Sequence, residues 1–183
     1  MFYEVELKGH IRVPPSSFKM DVEDAILQQL NEHFKEYISK DFGIVLAVSD
    51  IVYIGEGIII PGDGAAYYDT KFKVYTFKPE LQEVVLGKIT QIEEFGAFIN
   101  LGPIDGMVHI GQTMDDFVSF SKSGVLVGKQ SKRSLKIGDE CRSRIIAVSY
   151  KELRNPKIGL TMRQWMLGSL NAIKDDVKKL KEK

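Results

Sequence analysis

Three flat side chains, Phe95, Phe98 and His109, fall on or beside neighbouring predicted strands in the second half of the chain. Rings presented this way can hold single-stranded bases by stacking, worth about 1–3 kcal/mol per base and indifferent to sequence. The competing readings are a core place for Phe98 and a satisfied structural role for His109. Lys88 lies on the strand before them. Across residues 118–144, Lys122, Lys129, Lys132, Arg133, Lys136, Arg142 and Arg144 face only Asp139 and Glu140. Such clustering is a candidate phosphate track, and binding through it falls as salt rises. For any single lysine the plainer alternative is a solvated loop position.

No catalytic constellation accompanies these residues. Gly124 to Lys129 superficially resembles a phosphate-binding loop, but three residues separate its glycines where four are needed. Gln130 also stands where a magnesium-holding Ser or Thr belongs. Gly55-x-Gly57 lacks the third glycine and following helix of a dinucleotide site. Asp115-Asp116 and Asp175-Asp176 read as a helix cap and a solvated face. Cys141, inside a predicted strand, reads as an inert buried thiol. One cysteine and three histidines make a poor metal inventory, so neither metal nor cofactor is expected.

The elements that must position these groups come from a chain of 183 residues, room for one domain or two compact ones. Hydrophobic and charged fractions of 44% and 27% are ordinary for globular proteins, so wholesale disorder is excluded. No apolar run approaches the roughly 20 residues of a membrane span, and MFYEVELKGH lacks a signal peptide's apolar block. A soluble, cytoplasmic protein is expected. Its formal charge of zero hides an asymmetry. Residues 1–80 carry 8 basic and 13 acidic side chains and residues 81–183 carry 17 and 12, which makes the rear half the one to suspect of binding nucleic acid.

In the front half, Tyr3, Val5 and Leu7 alternate with Glu4, Glu6 and Lys8, a strand with one dry face, ended by Pro14-Pro15. From Asp21 to Ser39 the period becomes helical, with Val22, Ile26, Leu30, Phe34 and Ile38 on one stripe. Asp21 suits the N-cap, and Gly43 follows as a stop. A β-branched strand over Ile44–Ile54 and an alternating one over Lys71–Phe77 complete a small α+β layer. Between them lies Gly55, Glu56, Gly57, Ile58, Ile59, Ile60, Pro61, Gly62, Asp63 and Gly64. This is either a hairpin whose isoleucines fold back into the core or a protruding apolar tip that docks into another protein.

The rear half reads as short strands over Val84–Ile92, Gly96–Leu101, Gly106–Ile110, Glu140–Ser149 and Lys157–Met162, which favours a small closed barrel. The 111–135 insertion holds a candidate hairpin, Phe117–Phe120 with Val125–Val127 about a Ser123-Gly124 turn. Met166, Leu170, Ile173, Val177 and Leu180 form the stripe of a terminal helix whose end is rich in lysine. The ordered series Val85-x-Gly87-x-Ile89, Ile92, Phe95-Gly96-Ala97-Phe98-Ile99, Gly106-Met107-Val108-His109-Ile110 and Ile158-Gly159-Leu160-Thr161-Met162 resembles the ribosomal S-one type of OB-fold. In that fold the rings of Phe95, Phe98 and His109 would line the outer binding face.

Taken whole, from MFYEVELKGHIRVPP through IVYIGEGIIIPGDGAAYYDTKF to IGLTMRQ, the chain resembles the larger stalk subunit of multisubunit RNA polymerases, most closely the archaeal E-prime type. The resemblance implies an N-terminal ribonucleoprotein-like α+β domain over 1–80 and an OB-fold domain with hairpin insertion and terminal helix over 81–183. It implies a non-catalytic subunit whose tip, Gly55–Gly64, wedges into the polymerase core. A smaller helical subunit of the F type would be its second protein partner. Emerging single-stranded RNA would meet the barrel, aiding initiation and processivity. A free-standing OB-fold factor in translation or RNA decay is the alternative, and a nuclease with an RNA-binding appendage a third reading.

Overall fold

Alternation in the first residues becomes strand β1 (Phe2–Val13), in which odd-numbered side chains turn inward and even-numbered ones face water. The computed structural model describes residues 1–121, 124–152 and 156–181, and they divide into two units, Met1–Lys78 and Pro79–Lys183. After a single 3-10 turn at Pro15–Ser17, helix α1 (Val22–Phe34) buries Ala25, Ile26 and Leu30. Full burial of the last two contributes about 1.5–3 kcal/mol each. Asp21 occupies the N-cap position, yet its side chain makes no capping bond.

The helix is shorter than its stripe suggests. Lys35 closes it, Glu36 takes a φ of +58°, and Ile38–Ser39 forms strand β2 against Gly43 and Ile44. Gly43 therefore opens strand β3 (Gly43–Ile59) and is no helix stop. With β4 (Ala66–Phe77) the sheet has the order β1-β4-β3-β2. Phe72, Val74 and Thr76 point to its buried side, with Phe72 and Val74 packed among the helix residues. Strand β3 breaks register against β4 at four places, between Val45 and Ala47, Val48 and Ile51, Ile51 and Tyr53, and Ile54 and Gly57. Such bulges bend and twist a strand. The β3–β4 hairpin also runs further than expected: Gly55–Ile59 is strand, and only Ile60–Ala65 is turn.

The second unit is a closed barrel of β5 (Val84–Glu93), β6 (Gly96–Asn100), β7 (Asp105–His109), β11 (Glu140–Ser149) and β12 (Lys157–Thr161). The circuit runs β5–β6–β7–β12–β11 and back to β5, with β7–β12 parallel and every other pair antiparallel. Ile89, Ile99, Val108, Ile145 and Leu160 fill it, each at most 1% exposed. The insertion folds as a separate sheet of β8 (Val118–Ser121), β9 (Val125–Gly128) and β10 (Ser134–Leu135), whose Leu126 and Leu135 join the barrel core. Strand β13 (Gly168–Ser169) pairs with β11 and leads into α2 (Leu170–Lys181), anchored by buried Ile173. Met166 is not on that helix; it precedes β13 in a left-handed conformation, φ +63°. The whole is an α+β fold.

Candidate nucleic-acid interface

Strand alternation sorts the barrel's inside from its outside. Along β6, Ala97 and Ile99 are fully buried, so Gly96, Phe98 and Asn100 face outward; along β7, Gly106 and Val108 are buried, so Asp105, Met107 and His109 do. Register then builds three outer rows across β5, β6 and β7: Glu93–Gly96–His109, Gln91–Phe98–Met107 and Lys88–Asn100–Asp105. Phe98 is half-buried on this outer face and stays out of the core. Phe95, 49% exposed in the β5–β6 turn, sets its ring edge-on to Phe98 with centroids 6.1 Å apart. Gly96 lies between these two rings because a Cβ there would sit 2.1 Å from the Val108 carbonyl oxygen. No side chain fits.

His109 is exposed and caps the 3-10 turn Ile110–Gln112, its Nδ1 accepting from the Gly111 N–H at 3.2 Å. In the neutral ring the accepting nitrogen carries no hydrogen, so Nε2 is left as an outward donor. Exposed Lys88 shares the face, although Asn100 beside it donates to Asp105 at 2.7 Å. Arg142 and Arg144 are half-buried on the outer side of β11, opposite Leu86 and Val84 of β5. The Arg144 Nε is buried without a hydrogen-bond partner.

The insertion is placed differently. Lys132 is exposed in a left-handed turn, and Arg133 grips Asp176 of α2 through two bonds of 2.6 and 2.8 Å. That guanidinium is engaged with the terminal helix, and Asp176 is correspondingly no merely solvated carboxylate. Lys122 and Ser123 lie outside the described residues. Asp116 is not a helix cap: it accepts from the Ser131 N–H and hydroxyl and from the N–H groups of Gln130 and Phe117, and these donors, the Ser131 N–H foremost, lower its pKa. Burial pushes the Cys141 thiol up to about 12, the state of an inert thiol. Among the described residues no group of three or more His, Cys, Asp or Glu side chains could hold a metal ion.

The tip of the first unit is also built by side chains far apart in sequence. Ile58, Ile59 and Ile60 are 66%, 63% and 46% exposed, so they do not fold back into the core. Arg12 on β1 holds Asp63 of the turn by two bonds of 2.9 and 2.7 Å, and the Tyr67 hydroxyl donates to the same carboxylate at 2.6 Å. Those donors, Arg12 foremost, pull the Asp63 pKa down to about 2. A depressed folded-state pKa means the bracing is complete above the carboxylate's ordinary 3.8 and is lost as pH falls through about 2. Asp63→Asn is accordingly expected to lower amide protection over residues 60–65 at neutral pH, relative to intrinsic exchange rates, as acidification to about 2 does for the parent. Protection unchanged by either treatment would show that the turn holds itself.

Comparison with known proteins places these parts. Residues 8–64 match the model described as an SHS2 domain found in the N terminus of Rpb7p/Rpc25p/MJ0397, and residues 78–154 match the S1 RNA binding domain. The chain is 38% identical to DNA-directed RNA polymerase subunit Rpo7 of Sulfolobus acidocaldarius, over 98% of each chain. It is 39% identical to the Rpo7 of Saccharolobus solfataricus, over 94% of this chain and 97% of that one. Similarity extends to DNA-directed RNA polymerase III subunit RPC8 of Bos taurus, 26% identical over 82% of this chain and 77% of the relative.

Proposed function

We propose, for a chain that belongs to the family of DNA-directed RNA polymerase subunit Rpo7, that it serves as a non-catalytic stalk subunit holding emerging single-stranded RNA on the outer face of its barrel. The observation that carries this reading is the outer face of β5–β7, where Phe95, Phe98 and His109 present rings beside Lys88. Stacking holds bases without reading them, as a subunit meeting every transcript requires. Lys88 on that face would attract the phosphates, with Arg142 and Arg144 further off on the outer side of β11 opposite Leu86 and Val84, so affinity should fall as salt rises.

In this reading the front unit makes the protein contacts. Ile58, Ile59 and Ile60 dock in an apolar recess of the polymerase core, with Gly55, Gly57, Pro61, Gly62 and Gly64 shaping the hairpin end. A smaller helical subunit of the F type is the second partner. The assembly aids initiation and processivity and works in the cytoplasm. A free-standing RNA-binding factor would have no use for three exposed isoleucines at a braced hairpin end. That favours the polymerase.

Two measurements test the proposal. Tagged protein should co-purify with polymerase and with a small helical subunit, and recovery of neither would refute the stalk assignment. Phe98→Ala and His109→Ala should each weaken binding of a short oligouridylate by about 1–3 kcal/mol. Unaltered affinity in variants whose melting is also unaltered would move the RNA site off this face.

A further inference from the structure

The two faces of the tip hairpin differ. Register across the first sheet builds one row, Val13–Ala66–Ile59, and one residue along a second, Arg12–Tyr67–Ile58. Successive residues of a strand point to opposite faces. Val13 and Ala66 are buried, and Val13 packs with the α1 residues Ala25 and Ile26, so the first row lies on the helix side of the sheet. Ile59 ends that row exposed. The second row carries Arg12 and Tyr67, which hold the Asp63 carboxylate, so the side of Ile58 is polar and braced.

Beside Ile59 lies a groove of about 180 Å³ with Phe18, Met20, Val22 and Tyr68 among its walls. Phe18, Met20 and Val22 are 50%, 46% and 41% exposed, in the segment that leads into α1. Tyr68 reaches the groove by lying over Gly57, where a Cβ would sit 2.7 Å from its ring. An apolar cavity of about 150 Å³ holds benzene, so this groove has room for one large side chain and none for a helix. Four large apolar residues exposed around one groove mark a contact site, where single scattered ones would not.

Charge says what can occupy it. Residues 14–25 hold Asp21, Glu23 and Asp24 against Lys19 alone, and all four are exposed. Asp21 stands at the N-cap of α1 without making a capping bond. None of the three carboxylates forms an ion pair among the described residues. Acidic side chains suit the positive end of a helix, and that role leaves them open to a cation from outside. An acidic rim repels a nucleic acid and favours a protein surface with lysine or arginine beside its apolar contact.

The geometry points to docking from one side of the tip: the groove between Ile59 and the Phe18–Val22 segment receives a single apolar side chain of the polymerase core, and a basic side chain of the core next to it meets Asp21, Glu23 and Asp24. This rests on the tip reading above, and the experiment separates the two. Polymerase purified without this subunit is titrated against the full chain, labelled for fluorescence anisotropy, and each variant's melting is checked against the parent. Met20→Asp and Phe18→Ser, both at exposed positions, are expected to weaken association roughly tenfold or more, as Ile59→Asp does. Ile58→Asp, on the braced side, should weaken it several-fold at most. Glu23→Gln combined with Asp24→Asn should weaken it a few-fold and flatten its salt dependence, which a purely structural role of the two carboxylates would not do. If Ile59→Asp weakens association while Met20→Asp and Phe18→Ser leave it unaltered, the tip docks by its hairpin end alone and the groove inference is wrong. An Ile58→Asp loss equal to that of Ile59→Asp overturns one-sided docking. An unchanged salt slope in the neutralised double variant overturns the basic contact. If no variant affects association, the tip reading falls and the inference with it. If Met20→Asp instead turns a dimer of the free chain into a monomer and spares polymerase binding, the groove serves a second copy and the inference is overturned.

Discussion

Replacing Gly96 with alanine is expected to destabilise the barrel by about 3 kcal/mol or more, the upper end of what overpacking usually does. The added carbon would meet the Val108 carbonyl oxygen at 2.1 Å and the Val108 carbonyl carbon at 3.0 Å. Both are backbone atoms in a neighbouring strand, so no rotamer change relieves the clash. Relief requires β6 and β7 to separate where Gly96 faces His109 and Ala97 faces Val108. At roughly 4–8 °C per kcal/mol for a unit of this size, the barrel's melting should fall on the order of 10–20 °C. Calorimetry would show it. A melting temperature within about 2 °C of the parent would mean the two strands part cheaply. The same substitution should impair RNA binding below its melting point, because the clash lies between Phe95 and Phe98.

Why this face was readable from the residues alone, while its surroundings were not, has a physical basis. Barrel strands alternate with period two, and Gly96-Ala97-Phe98-Ile99 fixes inside and outside within four residues. The expected strands accordingly lie within about a residue of the observed ones. Local pattern fails where partners are distant. The helical stripe runs on to Ile38, an apolar residue that serves a helix or a strand equally well; pairing with Ile44 decides for the strand. Met166 fits the spacing of α2 but is excluded by the pairing of Gly168–Ser169 with β11. Strand β10 has two residues, too few to show any period.

Charged side chains were harder still. Arg133 counted as one more cation in a basic stretch, and nothing near it in sequence announces Asp176, 43 residues away. Arg12 and Asp63, 51 residues apart, meet only because β1 pairs with β4 across from the hairpin turn. Phe117 fits the start of a hairpin by pattern, yet it precedes β8 and is 76% exposed, which no local period shows. Composition identifies which groups can do chemistry; pairing across the fold decides which are already engaged.

The tip supplies the other large effect. Ile59→Asp should leave both units folded, since the side chain is 63% exposed at the end of β3, where it faces Ala66 of β4. Docking in an apolar recess would then desolvate a carboxylate with no partner, in place of the contact an isoleucine makes. Central interface residues of this kind contribute about 2–4 kcal/mol, so association with polymerase should weaken by roughly 30- to 1000-fold. Affinity for short oligouridylate should stay as it is, because the tip and the outer face of the barrel belong to different units. Equal loss of both activities would indicate unfolding, and retained docking would place the contact elsewhere on the front unit. Comparison with Asp63→Asn refines the argument: that change leaves all three isoleucines in place and removes the brace that Arg12 and Tyr67 provide. If docking depends on a preorganised tip, Asp63→Asn weakens association in the same direction but less than Ile59→Asp, because the ordering cost of a short turn is smaller than that of burying an unpaired charge.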